Sequence, residues 1–412
     1  MKKATRRASA SAPVDSPKDS AWRVFLVFLR LGLTSFGGPI AHLGYFRDEF
    51  VVRRRWISDA SYAELVALCQ FLPGPSSSQV GLALGLARAG YGGALAAWAG
   101  FTLPSALALV ALAQFIAHGG AGVPAGLLHG LKIAAVAVVA QAFWGMARTL
   151  CPDRPRIALM ALATCLSLLL LTSPAGQAVV IAIGAACGLA LLRPVAPAHA
   201  DALPVAIGPR AGARWLALLA LLLAGLPLLA RLLPVPGVAV FDAFFRTGAL
   251  VFGGGHVVLP LLQAEVVPTG WVDDAVFLAG YGAAQAVPGP LFTFAAFLGA
   301  SMKQAPTGWA GGLLCLLAIF APSFLLVAGA LPFWARLRGN PRLRSALMGA
   351  NAAVVGLLLG ALYHPLWTGA IHQPRDFALA VVAFVALVHG RWPPWLVVLA
   401  CGAAGWAFGG LA

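Results

Sequence analysis

The sequence predicts an all-α polytopic membrane protein: two inverted repeats of broken, re-entrant helices, with about 9 to 13 membrane segments. Three observations predict it: an extremely apolar composition, an internal duplication, and a reversal of loop charge between the two copies. Of the 412 residues, 60% are hydrophobic and only 10% are charged, with a mean hydropathy of +0.88. An ordinary soluble domain carries roughly 25% charged residues, so soluble enzyme classes are excluded. With 47 Gly and 29 Pro, a plain bundle of unbroken helices is excluded as well. The 28 Lys and Arg outnumber the 13 Asp and Glu, for a net charge of +15. These charges cluster between apolar runs, which is the pattern of a topology determinant and not of a nucleic-acid surface. Cysteines 69, 151, 165, 187, 315 and 401 form no Cys-x-x-Cys pair and read as small hydrophobes.

Residues 1–20 are rich in Ala, Ser, Lys and Arg without an apolar period and read as a disordered cytoplasmic tail. A cleaved signal peptide is disfavoured, because Phe36-Gly37-Gly38-Pro39 interrupts the next apolar run and further charge follows it. Apolar segments then run at about 22–46, 62–89, 92–118, 127–149, 157–172 and 176–192. A second set lies at about 240–263, 275–301, 309–333, 345–367, 377–389 and 393–410. The domain reading is therefore repeat 1 at 21–193 and repeat 2 at 239–412, with a linker at 194–238 that holds one more apolar segment, 213–233.

The copies match residue by residue. Phe28, Arg30, Gly32, Phe36, Gly37 and Gly38 recur 216 positions later as Phe244, Arg246, Gly248, Phe252, Gly253 and Gly254. Gln70, Pro73, Gly74 and Pro75 recur as Gln285, Pro288, Gly289 and Pro290; Gly81 and Gly85 as Ala296 and Ala300; Pro104-Ser105 as Pro322-Ser323. Matches in this order establish a duplication.

Equivalent loops carry opposite charge. Arg47, Arg53, Arg54 and Arg55 lie in the loop 47–60, whose counterpart 263–274 has no Lys or Arg. The loop 119–126 has none, whereas its counterpart 335–344 has Arg336, Arg338, Arg342 and Arg344. By the positive-inside rule the repeats are inverted, and segment 213–233 supplies the odd crossing that inversion requires. Parity then makes 22–46 and the segment broken at Pro73-Gly74-Pro75 turn back on the side they enter. Nine full spans follow, with the N-terminus cytoplasmic and the C-terminus outside; kinked helices that cross would raise the number to 13.

Breaking a helix in hydrocarbon leaves backbone N–H and C=O groups bare at several kcal/mol each, so breaks persist only where protein, water or substrate satisfies them. In Pro73-Gly74-Pro75-Ser76-Ser77-Ser78 the glycine permits the turn, Pro75 suits a first helical position, and the serines can cap free N–H groups. Such a restart aims a positive helix end at mid-membrane, where it attracts anions. Phe36-Gly37-Gly38-Pro39 makes a similar break, with Gly255 in place of Pro39 in the second copy.

Arg30 and Arg246 each precede a Phe-Gly-Gly break by six residues. An arginine at helix centre costs about 2.5 to 3.5 kcal/mol on insertion scales, so it implies a task, and the planar fork suits oxyanions. Snorkelling to the near interface is the plainer alternative. Gln70 and Gln285 can donate to an anion or satisfy freed carbonyls. Lys132, matched by Asn351, fits a helix-end anchor or a site equally well. His42 and His256 lie just past the breaks at non-equivalent positions and are candidates for proton carriage, as is Glu64, whose counterpart is Ala279. No His-Glu-x-x-His spacing implies a metal, and none of Lys2, Lys3, Lys18, Lys132 and Lys303 completes a phosphate-binding loop, so no cofactor is expected and transport must run on ion gradients or membrane potential.

The Arg-containing first segment with Phe-Gly-Gly, the Trp-x-x-Asp-like element (Trp56 to Asp59; Trp271 with Asp273 and Asp274) and the Gln-x-x-Pro-Gly-Pro break together resemble the chromate ion transporter family in its long, two-domain form. The resemblance covers about 21–193 and 239–412. It implies a bacterial inner-membrane protein that exports chromate, with sulfate as a related oxyanion. The positions it carries over are Arg30, Phe36, Gly37, Gly38, Gln70, Pro73, Gly74 and Pro75, and Arg246, Phe252, Gly253, Gly254, Gln285, Pro288, Gly289 and Pro290. The second copy has Leu291 to Phe294 where the first has Ser76 to Gln79, so the first copy, with Ser76 and Ser77, is expected to make more polar contacts. The partners expected are a small oxyanion and the bilayer, with no nucleic acid; a homo-oligomer is compatible with the sequence.

Expelling a dianion from a negative interior gains about 4.6 kcal/mol per 100 mV, which favours efflux over uptake. The rivals are a sulfate or other oxyanion uptake symporter, an intramembrane enzyme using Ser76 to Ser78, for which the sequence shows no paired His or Asp, and a membrane scaffold.

Overall fold

The computed structural model describes residues 19–118, 124–169, 173–194, 207–233 and 235–409. The tail expected at 1–20 lies almost entirely outside the described residues, as do most of the polar stretch 193–212 and much of the loop 119–126. The described chain is all helical, without strands. Six helices are long and apolar enough to cross a membrane, counted over joined stretches: Ser76–His118, Ala125–Leu150, Pro174–Leu191, Pro209–Leu232, Gly308–Gly339 and Pro341–Ala370.

The first copy opens with two folded-back hairpins. Helix α1 (Ala21–Thr34) starts under a Ser20 cap, whose side chain accepts from the Arg23 N–H. At about 1.5 Å per residue its 14 residues reach roughly 21 Å, short of a 30 Å hydrocarbon core. The left-handed Gly37 (φ 100°) and Gly38 (φ 78°) then reverse the chain into α2 (Gly38–Arg47), which continues as a wider turn over Asp48–Arg53. The return leg packs on the outgoing one: Phe28 meets Phe46 and Phe50 with ring centroids 5.6 and 5.0 Å apart. The second hairpin joins α3 (Asp59–Phe71) to α4 (Ser76–His118) through Pro73-Gly74-Pro75, with Gly74 at φ 121°.

Helix α4 is two helices joined at a non-helical corner, Ala89 (φ −141°) and Gly90 (φ 62°). The corner folds the legs together so closely that a Cβ on Gly85 would collide with the Gly93 carbonyl. Thus 76–88 completes the second hairpin and 91–118 is the first long rod. The Asp19 carboxylate pairs with Arg88 at 2.8 Å, bringing the corner and the start of α1 to one end. Helices α5 (Ala125–Leu150), α6 (Arg154–Leu169), α7 (Pro174–Leu191) and α8 (Pro209–Leu232) follow.

The second copy repeats the plan. Helices α9 (Pro236–Leu250) and α10 (Val258–Val266) form a hairpin around Gly253 and Gly254, and α11 (Asp274–Ala284) and α12 (Phe294–Ala300) form another around Gly289 at φ 103°. Then come α13 (Gly308–Ala330), α14 (Trp334–Gly339), α15 (Pro341–Ala361), the short α16 (Thr368–Ala370), α17 (Pro374–Val388) and α18 (Pro394–Gly409). Here the return legs start with tight turns, Gly255–Val257 and Leu291–Thr293, where the first copy starts directly as α-helix. The close approach made by Gly85 and Gly93 is made here by Gly299 and Gly311. Ala300, the sequence match of Gly85, is therefore one position off the structural contact. All six cysteines are free thiols, and Cys69, Cys151, Cys315 and Cys401 are buried.

Candidate functional site

All four breaks converge, and they do so across the copies. The Gly74 N–H donates to the Val251 carbonyl at 2.7 Å, and the Gly289 N–H donates to the Ser35 carbonyl at 2.9 Å. Val251 is the counterpart of Ser35 and Gly289 that of Gly74, so the two bonds are one contact made twice. The surroundings repeat too: a Cβ on Gly74 would lie 2.8 Å from the Ser323 Oγ, and one on Gly289 would lie 2.8 Å from the Ser105 Oγ. Each Pro-Gly-Pro break therefore sits against the Phe-Gly-Gly break and the Pro-Ser pair of the other copy. The Phe-Gly-Gly turns also face each other, with Gly255 next to Pro39 and Gly38 within 3.9 Å of a His256 ring nitrogen when given a Cβ. Asn351 lies beside Gly253. Bare backbone groups in hydrocarbon are costly, and here the breaks satisfy one another in part.

Uncommitted polar groups surround this junction. His42 is fully buried, its Nδ1 3.4 Å from the Ser77 Oγ and its ring edge-on to Phe101, while its Nε2 has no partner. The Ser35, Ser78, Thr102 and Ser323 hydroxyls and the Gln79 Oε1 also lack partners. His256 Nδ1 is 2.9 Å from the Tyr281 hydroxyl. Buried polar atoms without partners are costly, so a cluster of them at a duplicated break is the arrangement expected of a site that exchanges ligands with water. The junction is open on one flank, where Gly37 and Gln70 are exposed and Phe36 packs against Trp395.

Several expectations are revised. Pro75 does not begin the helix: its carbonyl accepts from the Gln79 N–H at 2.9 Å, and the helix starts at Ser76. Gln79 serves the other side of the break, its Nε2 donating to the freed Pro73 carbonyl at 2.6 Å, while Ser77 stands beside His42 and shows no cap to a helix N–H among the described residues. A histidine does therefore stand beside Ser77, a pairing concealed in the sequence by the 35 positions between them. No acid pairs with it among the described residues; its neighbours are the Ser77 hydroxyl and the Ser35 main chain.

The two arginines are not equivalent. Arg30 is exposed, on the α1 face that carries Trp22, Leu26 and Leu33, and its guanidinium has no ion pair or hydrogen bond among the described residues. Arg246 is held at its Nε by Asp242 at 3.0 Å and at its Nη1 by Glu265 at 3.1 Å, so a free anion-binding fork in both copies is not what the structure shows. Sequence reasoning passed over both acids. Position 242 corresponds to Leu26 in the first copy, whereas Glu265 corresponds to Glu49, which turns away from Arg30 to Arg53 and Arg54 at 2.8 and 2.6 Å. The signals were there: Asp242 and Arg246 have the i,i+4 spacing of a helical ion pair, and the glutamate recurs with the repeat.

Lys132 and Glu64 lie apart from the breaks. Lys132 lines a cavity of about 340 Å³ with His129 between α5 and α11. Near its mouth the His129 Nε2 meets Asp376 at 3.0 Å and the ring stacks on His372. Glu64 accepts from Arg338 at 2.8 Å and from the Trp334 indole at 3.0 Å, joining the copies. Glu64→Ala is expected to destabilise the fold by about 1 to 3 kcal/mol, the range for half-buried charge-assisted bonds. The melting temperature of the purified protein reads this, and an unchanged value would remove the pair as a contact that matters between copies.

A family model described as "Chromate transporter" matches residues 22–189 and again 238–406. The "Chromate transport protein" of Pseudomonas aeruginosa is 30% identical, over 98% of this chain and 95% of its own length. That of Cupriavidus metallidurans is 26% identical, over 84% and 83%. The "Uncharacterized transporter YwrB" of Bacillus subtilis is 34% identical over 38% of this chain and 80% of its own. No solved structure matches.

Proposed function

The chain belongs to the chromate transporter family, and on that premise we propose that it is a secondary transporter that exports chromate across a bacterial inner membrane, binding the oxyanion where the four helix breaks meet. The observation that carries this is the reciprocal pair Gly74 to Val251 and Gly289 to Ser35, which gathers every break and its free polar groups at one place between the copies. Around that place α2 and α4 present N-terminal ends, the second-copy legs open through the tight turns Gly255–Val257 and Leu291–Thr293, and the Ser35, Ser78 and Ser323 hydroxyls stand without partners; Arg30, exposed on α1 six residues before its break, is the uncommitted cation assigned to the path of the anion. Chromate is a tetrahedral dianion, and fixed N–H ends, hydroxyls and a guanidinium complement it.

The hairpins α1–α2, α3–α4, α9–α10 and α11–α12 each enter and leave on one side. The remaining long and short rods then give nine crossings, with the N-terminus in the cytoplasm and the Arg-rich loops 47–60 and 335–344 beside it. The Glu64–Arg338 pair is consistent with this, because it brings the start of α3, which follows the loop 47–60, beside the loop 335–344. With the interior negative, each dianion expelled gains about 4.6 kcal/mol per 100 mV, enough to sustain roughly a thousandfold gradient. Sulfate makes nearly the same demands on such a site and is the second substrate to test. The Ser77–His42 pair does not favour an enzyme, since no carboxylate among the described residues pairs with the histidine to complete a triad.

The test is flux into and out of proteoliposomes under imposed electrical and pH gradients. Chromate is expected to move towards the positive side, and Arg30→Gln is expected to slow it by roughly ten- to a hundredfold, the worth of one charge-assisted bond, at unchanged membrane abundance. Undiminished flux in that variant removes Arg30 from the site, and flux of sulfate without chromate overturns the substrate.

A further inference from the structure

The second copy contains a charge imbalance that the first does not. Arg246 is clasped by two carboxylates, both of residues more than nine-tenths buried, and the Asp242 Oδ1 is buried with no partner at all. With both acids ionised the cluster carries one surplus negative charge. The charged groups that act on Glu265 are Arg246 and Asp242. The elements packed on α9 and α10 bring no further cation to it. Helices α13 and α7 have no charged residue, and Arg342 and Arg344 lie in the first turn of α15. The arginines of α8 are Arg210 and Arg214 near its start and the exposed Arg231 near its end. Helix α11 offers Tyr281, which bonds His256 of the neighbouring tight turn, and Asp274, which faces Lys132 and His364. Beyond the end of α10, Asp273 is taken by Lys303 at 2.6 Å.

A dianion approaching Arg246 therefore meets a guanidinium already occupied twice and a field that is net negative. One proton on the acid pair changes both conditions: the cluster becomes neutral and one side of the Arg246 fork is released. We propose that Asp242 and Glu265 are stand-in anions for Arg246, and that an oxyanion can engage Arg246 only as the pair takes up one proton. This rests on the chromate-transport reading and adds a proton-binding site to it; a proton that travelled with the dianion would leave one net charge moved, worth about 2.3 kcal/mol per 100 mV, so the full electrical gain requires its release on the side of entry. The first copy has no such device, because Leu26 replaces Asp242 and Glu49 is held by Arg53 and Arg54, so Arg30 stays open at any pH.

The experiment is calorimetric titration of the full-length protein in detergent with chromate, at alkaline pH where chromate is the dianion, in buffers of different ionisation enthalpy. Wild type is expected to absorb about one proton per oxyanion bound, and its affinity to fall about tenfold per unit of rising pH. Glu265→Gln and Asp242→Asn are expected to bind with uptake near zero and a flattened pH dependence. Chromate binding by wild type without proton uptake overturns the proposal, and so does full uptake retained in both variants. That first result needs no variant to fold. Failure of wild type to bind or move chromate at all overturns the transport reading instead, so the two failures are distinct.

Discussion

Gly289→Val is expected to abolish chromate flux and to lower the melting temperature of the purified protein. Position 289 has φ 103°, which a β-branched residue adopts only under strain, and its Cβ would lie 2.8 Å from the Ser105 Oγ and 3.2 Å from the Phe101 carbonyl. Strain of about 1 to 3 kcal/mol adds to overpacking of about 1 to 3 kcal/mol. The relief available is to move the break away from Ser35, which loses the Gly289 to Ser35 bond and opens the junction. Gly74→Val meets the Ser323 Oγ and Gln79 Nε2 in the same way and should match it. Gly145→Ala, in an open helical position with nothing within 4 Å, serves as the tolerated control. Wild-type flux in both valine variants would show that the breaks need not meet for transport.

Arg246→Gln is expected to lower membrane abundance sharply, in contrast to Arg30→Gln. Removing one partner from a buried ion cluster costs about 3 to 5 kcal/mol, because it leaves the other charges unpaired. The 30% exposure of the Arg246 side chain places the expected loss at the lower end of that range. Adding Asp242→Asn and Glu265→Gln removes the stranded charge, so the triple variant should recover abundance without recovering full transport. Equal abundance of Arg246→Gln and wild type would show that the acids are solvated, and would weaken the charge count on which the proton site rests.

Much of this architecture is legible in the sequence because glycine and proline punctuate it. Gly37, Gly38, Gly74 and Gly289 adopt the left-handed backbone that their turns need, and their recurrence between copies marks where the chain folds back. Partners are less legible. The bonds of Gly74 to Val251 and of Gly289 to Ser35 join main-chain atoms far apart in the chain, and no residue type signals them. The burdened state of Arg246 was half visible, since Asp242 sits one turn before it, yet the duplication invited the assumption that both arginines do one job. Lys132 and Asn351 show the same limit: equivalent in sequence, they serve different places, one lining the cavity beside His129 and one touching Gly253.

The clasp at the centre is written in peptide groups and needs from the side chains only that two positions stay empty. Side chains that differ elsewhere leave its main-chain donors and acceptors in place, so the halves can meet alike while their vocabularies differ. That freedom is what lets one copy retain a loose cation and the other build a guarded one, a division of labour that two identical halves could not sustain.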